Sequence, residues 1–256
     1  MQDGESIKHS QSAILAVSRS MACGIFITGT DTGVGKTLVS CSLAALLRDL
    51  GYRVGVMKPV ETGCSQRNGE LFPEDAVRLR QASGCDEPME KICPYRFAEP
   101  LAPSIAAERG GDRIDIDHVV QVYHEISSGH DVILIEGAGG LMVPLLPSFT
   151  YADFARTAKL PLIVVAANRL GAINHLMLTL EHAQCKGLSV IGYVLNCPTD
   201  QISLASDTNR EVLANLSGVP CLAELPFVPT ANSAGLYPAQ QFGKEFALRL
   251  IEPFLL

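Results

Sequence analysis

The sequence lacks paired cysteines of the kind found in zinc sites and redox motifs. Its eight cysteines are scattered, and several fall inside apolar stretches such as Ser40–Leu47 and Val219–Leu225. Structural zinc sites bring cysteines together in Cys-x-x-Cys pairs, and disulfide frameworks are typical of short secreted chains. We therefore expect reduced, mostly buried thiols in a cytoplasmic protein.

Long apolar runs and an excess of positive charge are missing too. No run approaches the roughly 20 apolar residues that a membrane-spanning helix needs. The net charge of −7 disfavours a nucleic acid or an acidic membrane as the main partner. Residues 1–22 contain only a short apolar segment, Ala13–Val17, so we expect a disordered extension without a signal peptide. Residues 23–256 are then expected to form one domain.

The most informative stretch is Gly24–Leu38. A short apolar run stops at Gly29, and Gly35-Lys36-Thr37 leads into a helical pattern. Glycines let backbone N–H groups approach phosphate oxygens, and a helix start adds further N–H groups and a positive dipole. This order of strand, loop and helix predicts a nucleotide site in which Lys36 contacts the β- and γ-phosphates and Thr37 contacts Mg²⁺.

The loop departs by one position from the commonest phosphate-binding pattern. That pattern has a glycine five residues before Gly35, whereas Thr30 stands there and the glycine is Gly29. A glycine-rich turn before an ordinary helix is therefore the alternative interpretation of this stretch.

Beyond the loop, apolar strand patterns alternate with helical patterns. The predicted strands are Arg53–Val60, His130–Gly137, Leu160–Ala167, Leu188–Asn196 and Val219–Leu225. The predicted helices are Leu38–Leu50, Pro73–Ala82, Ile114–Ile126, Tyr151–Ala158, Ile173–Cys185, Ser206–Leu216 and Ala239–Leu250. Residues 61–72 and 95–104 have the composition of loops and connections. This alternation predicts an α/β fold, a doubly wound, mostly parallel sheet with helices on both faces, as in P-loop NTPases.

Polar residues stand at the ends of several predicted strands, namely Lys58, Glu136, Asn168-Arg169 and Asn196. The carboxyl ends of parallel strands share one rim of the sheet, where ligands bind. Glu136 follows a buried strand at the place where nucleotide hydrolases keep a carboxylate for Mg²⁺. Each of these residues, and Asp75 in a first helical turn, can also be explained without a ligand, as a solvated strand-end, turn or helix-start residue.

Five motifs together resemble the dethiobiotin synthetase family, in the family's order and from about Gly24 to the C-terminus. They are Gly29-Thr-Asp-Thr-Gly-Val-Gly-Lys-Thr37, Lys58-Pro-Val-Glu-Thr-Gly63, Phe97-Ala-Glu-Pro-Leu-Ala-Pro103, Glu136-Gly-Ala-Gly-Gly140 and Leu170-Gly-Ala-Ile-Asn-His175. The longer glycine spacing is typical of this family. The resemblance implies an ATP-dependent cyclo-ligase of biotin synthesis. Such an enzyme carboxylates 7,8-diaminopelargonic acid with CO₂ and closes the ring through a carbamate and a carbamic-phosphoric anhydride, releasing ADP and phosphate.

The resemblance also implies roles for the matching residues. Lys36 and Lys58 would be catalytic, beside the γ-phosphate and the carbamate, and Thr37, Asp75 and Glu136 would be Mg²⁺ ligands. The other implied nucleotide contacts are Gly33, Val34, Gly35, Leu38, Gly137, Ala138, Gly139, Asn196, Pro226, Phe227 and Val228. Within this set, Asn196 would recognise the adenine.

For the substrate, the resemblance implies two elements. Thr62 would offer its hydroxyl to the carbamate or amine of the substrate. The segment Gly171, Ala172, Ile173 and Asn174 would receive the substrate carboxylate from the neighbouring subunit. The implied assembly is a homodimer with sites at its interface.

Two other protein classes have similar loops. ATPase switches of the partition and division-site type carry an additional lysine early in the loop, where this chain has Asp31, and act on DNA or membranes through basic or amphipathic surfaces that this sequence lacks. Amidoligases of the corrinoid pathway need a glutaminase domain, for which 256 residues leave no room. We therefore keep the ATPase switch as the alternative function.

Overall fold

The structure is a computed structural model that describes residues 22–200 and 203–227. The strands in these ranges are β1 (Cys23–Gly29), β2 (Val54–Met57), β3 (Val60–Thr62), β4 (Ser65–Arg67), β5 (Glu70–Phe72), β6 (Tyr95–Phe97), β7 (Val132–Gly140), β8 (Pro144–Leu146), β9 (Phe149–Thr150), β10 (Leu162–Ala167), β11 (Val190–Asn196) and β12 (Cys221–Leu225). The helices are α1 (Lys36–Asp49), α2 (Glu74–Ser83), α3 (Met89–Ile92), α4 (Pro103–Arg109), α5 (Ile116–Gly129), α6 (Tyr151–Thr157), α7 (Ala172–Cys185) and α8 (Leu204–Leu216). Two predicted segments lie outside the described residues. They are the extension over residues 1–22, apart from Ala22, and the helix at Ala239–Leu250.

Six parallel strands form the central sheet, in the order β12-β11-β10-β1-β7-β2. The inner strands β1 and β10 are buried on both faces because apolar side chains point alternately to each side, whereas the edge strand β12 is only partly buried. Ile25 and Ile27 of β1 pack with α1 and α2, whereas Phe26 packs with α5 and α6. The predicted doubly wound α/β fold is therefore confirmed. Within the described part of the chain, no helix is long and apolar enough to cross a bilayer.

The strand predicted at Arg53–Val60 is wrong in its second half. Strand β2 ends at Met57, and Pro59 has no N–H group to continue the ladder. Val60–Thr62 instead starts a second, two-stranded sheet with β6, which lies in a segment that the sequence assigned to an irregular connection. The side chain of Lys58 therefore lies at the junction between the two sheets.

Residues 61–72, expected as loop, contain a β-hairpin. Strands β4 and β5 pair antiparallel around Asn68-Gly69, whose φ angles are +53° and +85°. Both central residues of a type I′ turn need positive φ, and Asn-Gly is the sequence most typical of it. The dipeptide Asn68-Gly69 was therefore a signal for this hairpin that the sequence already contained. The guanidinium carbon of Arg67 also lies 3.6 Å from the centre of the Phe72 ring.

Candidate active site

The glycine-rich loop joins β1 to α1, and a hydrogen bond from β11 supports it. Gly35 precedes α1 with φ +96°, and a Cβ atom there would lie 2.2 Å from Nδ2 of Asn196. Only glycine fits this position. Asn196, buried at the end of β11, donates from Nδ2 to the carbonyl oxygen of Val34 at 2.8 Å. No side chain of the described residues caps α1, so the first N–H groups of the helix are left without a side-chain acceptor and could bind an anion.

Lys36 curls back over the loop. Its Nζ atom donates to the carbonyl oxygen of Asp31 at 3.0 Å. Burial and the nearby ammonium of Lys58 together lower the pKa of Lys36 to about 8, although the charge of Glu136 opposes them. A phosphate anion in the loop would favour the charged form of this lysine.

Lys58, Glu136, Asp75 and Thr37 form one hydrogen-bonded cluster beside the loop. Oε1 of Glu136 accepts from Nζ of Lys58 at 2.6 Å and from Oγ1 of Thr37 at 2.8 Å. Nζ of Lys58 also donates to Oδ2 of Asp75 at 3.1 Å. The cluster joins the residue after β2, the middle of β7, and the first turns of α1 and α2.

Opposite charges in this cluster stabilise one another. Burial acts to lower the pKa of Lys58, but the carboxylates of Glu136 and Asp75 outweigh it and raise this pKa well above its usual value. Burial acts to raise the pKa of Asp75, but the charge of Lys58 outweighs it and lowers this pKa. Lys58 is therefore an ammonium, and Asp75 a carboxylate, near neutral pH.

The cluster has the donor set that Mg²⁺ prefers. Oε2 of Glu136 is buried and has no hydrogen-bond partner among the described residues, which leaves one oxygen of this carboxylate available to a ligand. Mg²⁺ is usually held by one or two carboxylates together with phosphate oxygens and water, and a loop Ser or Thr hydroxyl commonly joins them. Among the described residues, no group of three or more His, Cys, Asp and Glu side chains is placed to hold a metal. A cation at Thr37, Asp75 and Glu136 would thus need nucleotide oxygens to complete its coordination.

The cluster opens into a cleft of about 630 Å³. The predicted site residues that line it are Gly33, Gly35, Lys36, Thr37, Leu38, Lys58, Thr62, Asp75, Glu136, Ala138 and Gly139. Val34, Gly137 and Asn196 do not line it. Val34 and Asn196 are buried beneath the loop, and Gly137 packs against the ring of Phe26. The structure therefore brings most of the predicted loop, metal and lysine positions into one cavity.

The remaining predicted residues lie elsewhere. Pro226 and Phe227 follow β12, whose last residue pairs with Asn196, and Pro226 lines a second cleft with Asn168. Val228 lies outside the described residues. The segment 171–174 forms the start of α7, with Gly171 at φ +93° before the first turn, and does not line the main cleft of its own chain.

Several wall residues were not predicted as site residues. Pro100, Leu101, Ala102 and Pro103 form the wall opposite the loop, within a motif that the sequence analysis used only for the resemblance. Glu61 is buried and accepts from the backbone N–H groups at the start of α2. The sequence did offer one signal for Glu61 as a site residue, namely its position within the motif Lys58-Pro-Val-Glu-Thr-Gly63.

Comparisons with known proteins identify the family of this chain. A family model described as an AAA domain matches residues 23–234. An ATP-dependent dethiobiotin synthetase BioD from Anaeromyxobacter sp. (strain K) is 45% identical over 209 residues, covering 78% of this chain and 92% of that protein. The protein of the same name from Bacillus cereus (strain G9842) is 42% identical over 205 residues, covering 80% of this chain and 83% of that protein.

Solved structures with a similar fold include cell-division proteins. MinD from Aquifex aeolicus has a TM-score of 0.56 at 16% identity, covering 90% of this chain and 98% of that one. The septum site-determining protein MinD of Pyrococcus horikoshii, complexed with Mg-ADP, has a TM-score of 0.53 at 18% identity, with 90% and 95% covered. At such low identity the likeness extends to the fold alone. The relatives that share 42% and 45% identity over 80% and 78% of this chain are much closer, and this chain therefore belongs to the dethiobiotin synthetase family.

Proposed function

We propose that this chain is an ATP-dependent cyclo-ligase that converts 7,8-diaminopelargonic acid, CO₂ and ATP into dethiobiotin, ADP and phosphate. The observation that carries the proposal is the position of Lys58, hydrogen-bonded to Glu136 and Asp75 in the same cleft as Lys36. A γ-phosphate and a carbamate are both anions, and their approach builds negative charge. Two ammonium groups on one cleft supply the fixed positive charge that such a transition state needs.

The reaction that we propose has three steps. One substrate amine takes up CO₂ and loses a proton, forming the carbamate. A carbamate oxygen then attacks the γ-phosphorus of ATP and ADP leaves. Finally the second amine attacks the carbonyl carbon of the carbamic-phosphoric anhydride, phosphate leaves, and the cyclic urea forms. In our assignment Lys36 contacts the γ-phosphate, Lys58 the carbamate, and Thr62 the carbamate or amine.

ATP would bind through the loop. Backbone N–H groups between Gly33 and Leu38, together with the uncapped start of α1, face the position proposed for the phosphates. We assign the adenine to the region of Asn196, Pro226, Phe227 and Val228. Asn196 already supports the loop through Val34, so its position couples the base to the phosphates.

We further propose Mg²⁺ as the cofactor, held by Thr37, Asp75 and Glu136. Bound there, it would offset phosphate charge in the transition state. The buried, unpartnered Oε2 of Glu136 supports this assignment, because such an oxygen otherwise loses hydration without gaining a partner. Lys58 shares both carboxylates with the proposed cation and would be held beside it.

We propose that the enzyme is a homodimer in the cytoplasm. Gly171–Asn174 would bind the substrate carboxylate of the partner subunit, since this segment does not line the cleft of its own chain. Large apolar side chains are exposed near it, at Leu170, Leu178 and Met142, and such patches often mark protein interfaces. All eight cysteines are free, in keeping with a reducing compartment.

The test is product formation with labelled carbon. The purified protein is incubated with ATP, Mg²⁺, 7,8-diaminopelargonic acid and ¹³C-bicarbonate, and dethiobiotin is measured by mass spectrometry. We expect one labelled carbon in the product and one phosphate released per product. Phosphate release that ignores the diamine but rises with DNA or lipid vesicles would refute the proposal and favour an ATPase switch. The Lys58→Met variant is the negative control.

A further inference from the structure

Glu61 makes an unusual contact with the helix that carries Asp75. It lies on β3 with only 6% of its surface exposed. One carboxylate oxygen accepts from the backbone N–H of Asp75 at 3.0 Å, and the other accepts from the backbone N–H of Ala76 at 3.0 Å. The pair of bonds is bidentate and charge-assisted, which fixes direction as well as distance.

This contact replaces an ordinary helix cap. Helix α2 follows Pro73, whose side chain has no acceptor for the free N–H groups of the first turn. A local Ser, Thr or Asp would satisfy them without involving another element. Here the acceptor comes from the segment that also carries Lys58. Two residues of this segment therefore contact Asp75. Nζ of Lys58 bonds its carboxylate at 3.1 Å, and Glu61 bonds its backbone.

The location of the charge favours a role in the site over simple capping. Burial raises the pKa of Glu61, the two N–H bonds oppose that rise, and the nearby charge of Asp75 adds to it. Two acids so close to each other repel, and a neutral side chain could cap the helix without this repulsion. The arrangement instead keeps the backbone of Asp75 fixed while its carboxylate faces Lys58.

We propose that Glu61 is a positioning residue, which holds the first turn of α2 so that the carboxylate of Asp75 stays at the cation site. The inference rests on the proposed function, because it takes Asp75 as a ligand of Mg²⁺. Glu61 itself touches neither substrate nor cation in this assignment. Partners that orient a metal ligand typically change metal affinity by 10- to 100-fold when they are removed.

The test compares Glu61→Gln with Glu74→Gln. Glu74 is an exposed acid in the same first turn whose side chain bonds Arg67 of the hairpin, so its variant controls for charge and helix propensity. Mn²⁺ binding is measured by electron paramagnetic resonance with a non-hydrolysable ATP analogue, and the Mg²⁺ dependence of turnover is measured separately. We expect Glu61→Gln to weaken Mn²⁺ binding about 10-fold or more and to raise the Mg²⁺ concentration for half-maximal turnover similarly. Glu74→Gln should change neither.

A double variant separates positioning from structure. If Glu61 acts through Asp75, adding Glu61→Gln to Asp75→Asn should weaken Mn²⁺ binding no further. Additive losses, or unchanged Mn²⁺ binding in Glu61→Gln, would overturn the proposal. A fall in thermal stability alone would leave Glu61 as a cap only. Mn²⁺ binding needs no turnover, so a wild-type protein that makes no dethiobiotin would contradict the proposed function while the role of Glu61 is still decided.

Discussion

Removing one partner of the buried pair of Lys58 and Glu136 should strongly destabilise the ligand-free protein. Their side chains are 4% and 1% exposed, and Nζ lies 2.6 Å from Oε1. Replacing Lys58 by Met removes the counter-charge but leaves the carboxylate buried, with the Thr37 hydroxyl still donating to Oε1 and Oε2 without a partner among the described residues. Breaking a buried pair in this way costs about 3–5 kcal/mol, because one charge stays desolvated and uncompensated.

The loss in the free energy of unfolding can be measured by urea unfolding, and the fall in melting temperature by thermal unfolding, both at pH 7 without nucleotide or metal. For a domain of this size 1 kcal/mol corresponds to about 2–4 °C, so the melting temperature of Lys58→Met should fall by about 6–20 °C. Mg²⁺ should recover part of the loss, because it supplies a new counter-charge to Glu136. The recovery should be larger in Lys58→Met than in the wild type, where the ammonium already occupies Oε1.

A double variant tests whether the loss of stability comes from the unpaired charge of Glu136. In Lys58→Met combined with Glu136→Met, both charges are gone and apolar groups of similar length fill the space. Such replacements are often neutral, so the double variant should be more stable than Lys58→Met by about 2 kcal/mol or more.

The matched control is Arg53→Met. Arg53 pairs with Asp131 with side chains 50% and 40% exposed, and exposed pairs contribute only about 0.2–1 kcal/mol. A loss below about 1 kcal/mol in Lys58→Met, or strict additivity in the double variant, would refute the reasoning, because the cluster would then be as weakly coupled as a surface pair.

Three further predictions follow from single sites. Lys36→Ala should lower kcat by about 10²–10³-fold, as the loss of one transition-state charge donor typically does, measured by dethiobiotin formation at saturating ATP. Gly35→Ala should lose about 1–2 kcal/mol of stability through its positive φ, and should also weaken binding of a fluorescent ATP analogue because its methyl group displaces Asn196. Burial opposes the ionisation of Asp153, but hydrogen bonds from Thr150 and Lys186 outweigh it and hold the pKa at about 2. Because this pKa is lowered on folding, the stabilisation is present above pH 4 and is lost as the pH falls towards 2. Asp153→Asn should cost about 2 kcal/mol at pH 7 in urea unfolding, and its difference from the wild type should vanish near pH 2.

The rim of the sheet was the part of the site that sequence could predict best. Parallel strands end together, so a polar residue directly after a buried strand belongs to the rim wherever that strand lies in the sheet. Register then explains the contact. Met57 of β2 pairs with Ile135 of β7, so the next residues lie side by side, Lys58 just past the end of β2 and Glu136 within β7. The sequence does not show that β7 lies between β1 and β2, and therefore could not predict this contact.

Contacts that depend on the irregular segments were beyond such reasoning. Glu61 reaches α2 because β3 leaves the central sheet and pairs with β6, more than 30 residues later in the chain. Residue composition favoured loops in both places. The fit of Gly35 against Asn196 likewise joins the loop after β1 to β11, the fifth strand of the central sheet in chain order. Local patterns cannot predict packing between residues so far apart in the chain.

The division of the cleft explains how a shared fold can carry a particular chemistry. The loop and the start of α1 belong to the part of the sheet around β1, which is the general nucleotide site of such folds. The opposite wall comes entirely from the connection between β2 and β7, which supplies Lys58, Thr62, Asp75 and the segment Pro100–Pro103. The phosphates would therefore meet the shared half, and the diamine and its carbamate the connection. We therefore expect a chain with the same loop but a different β2 to β7 connection to bind the nucleotide without binding this substrate.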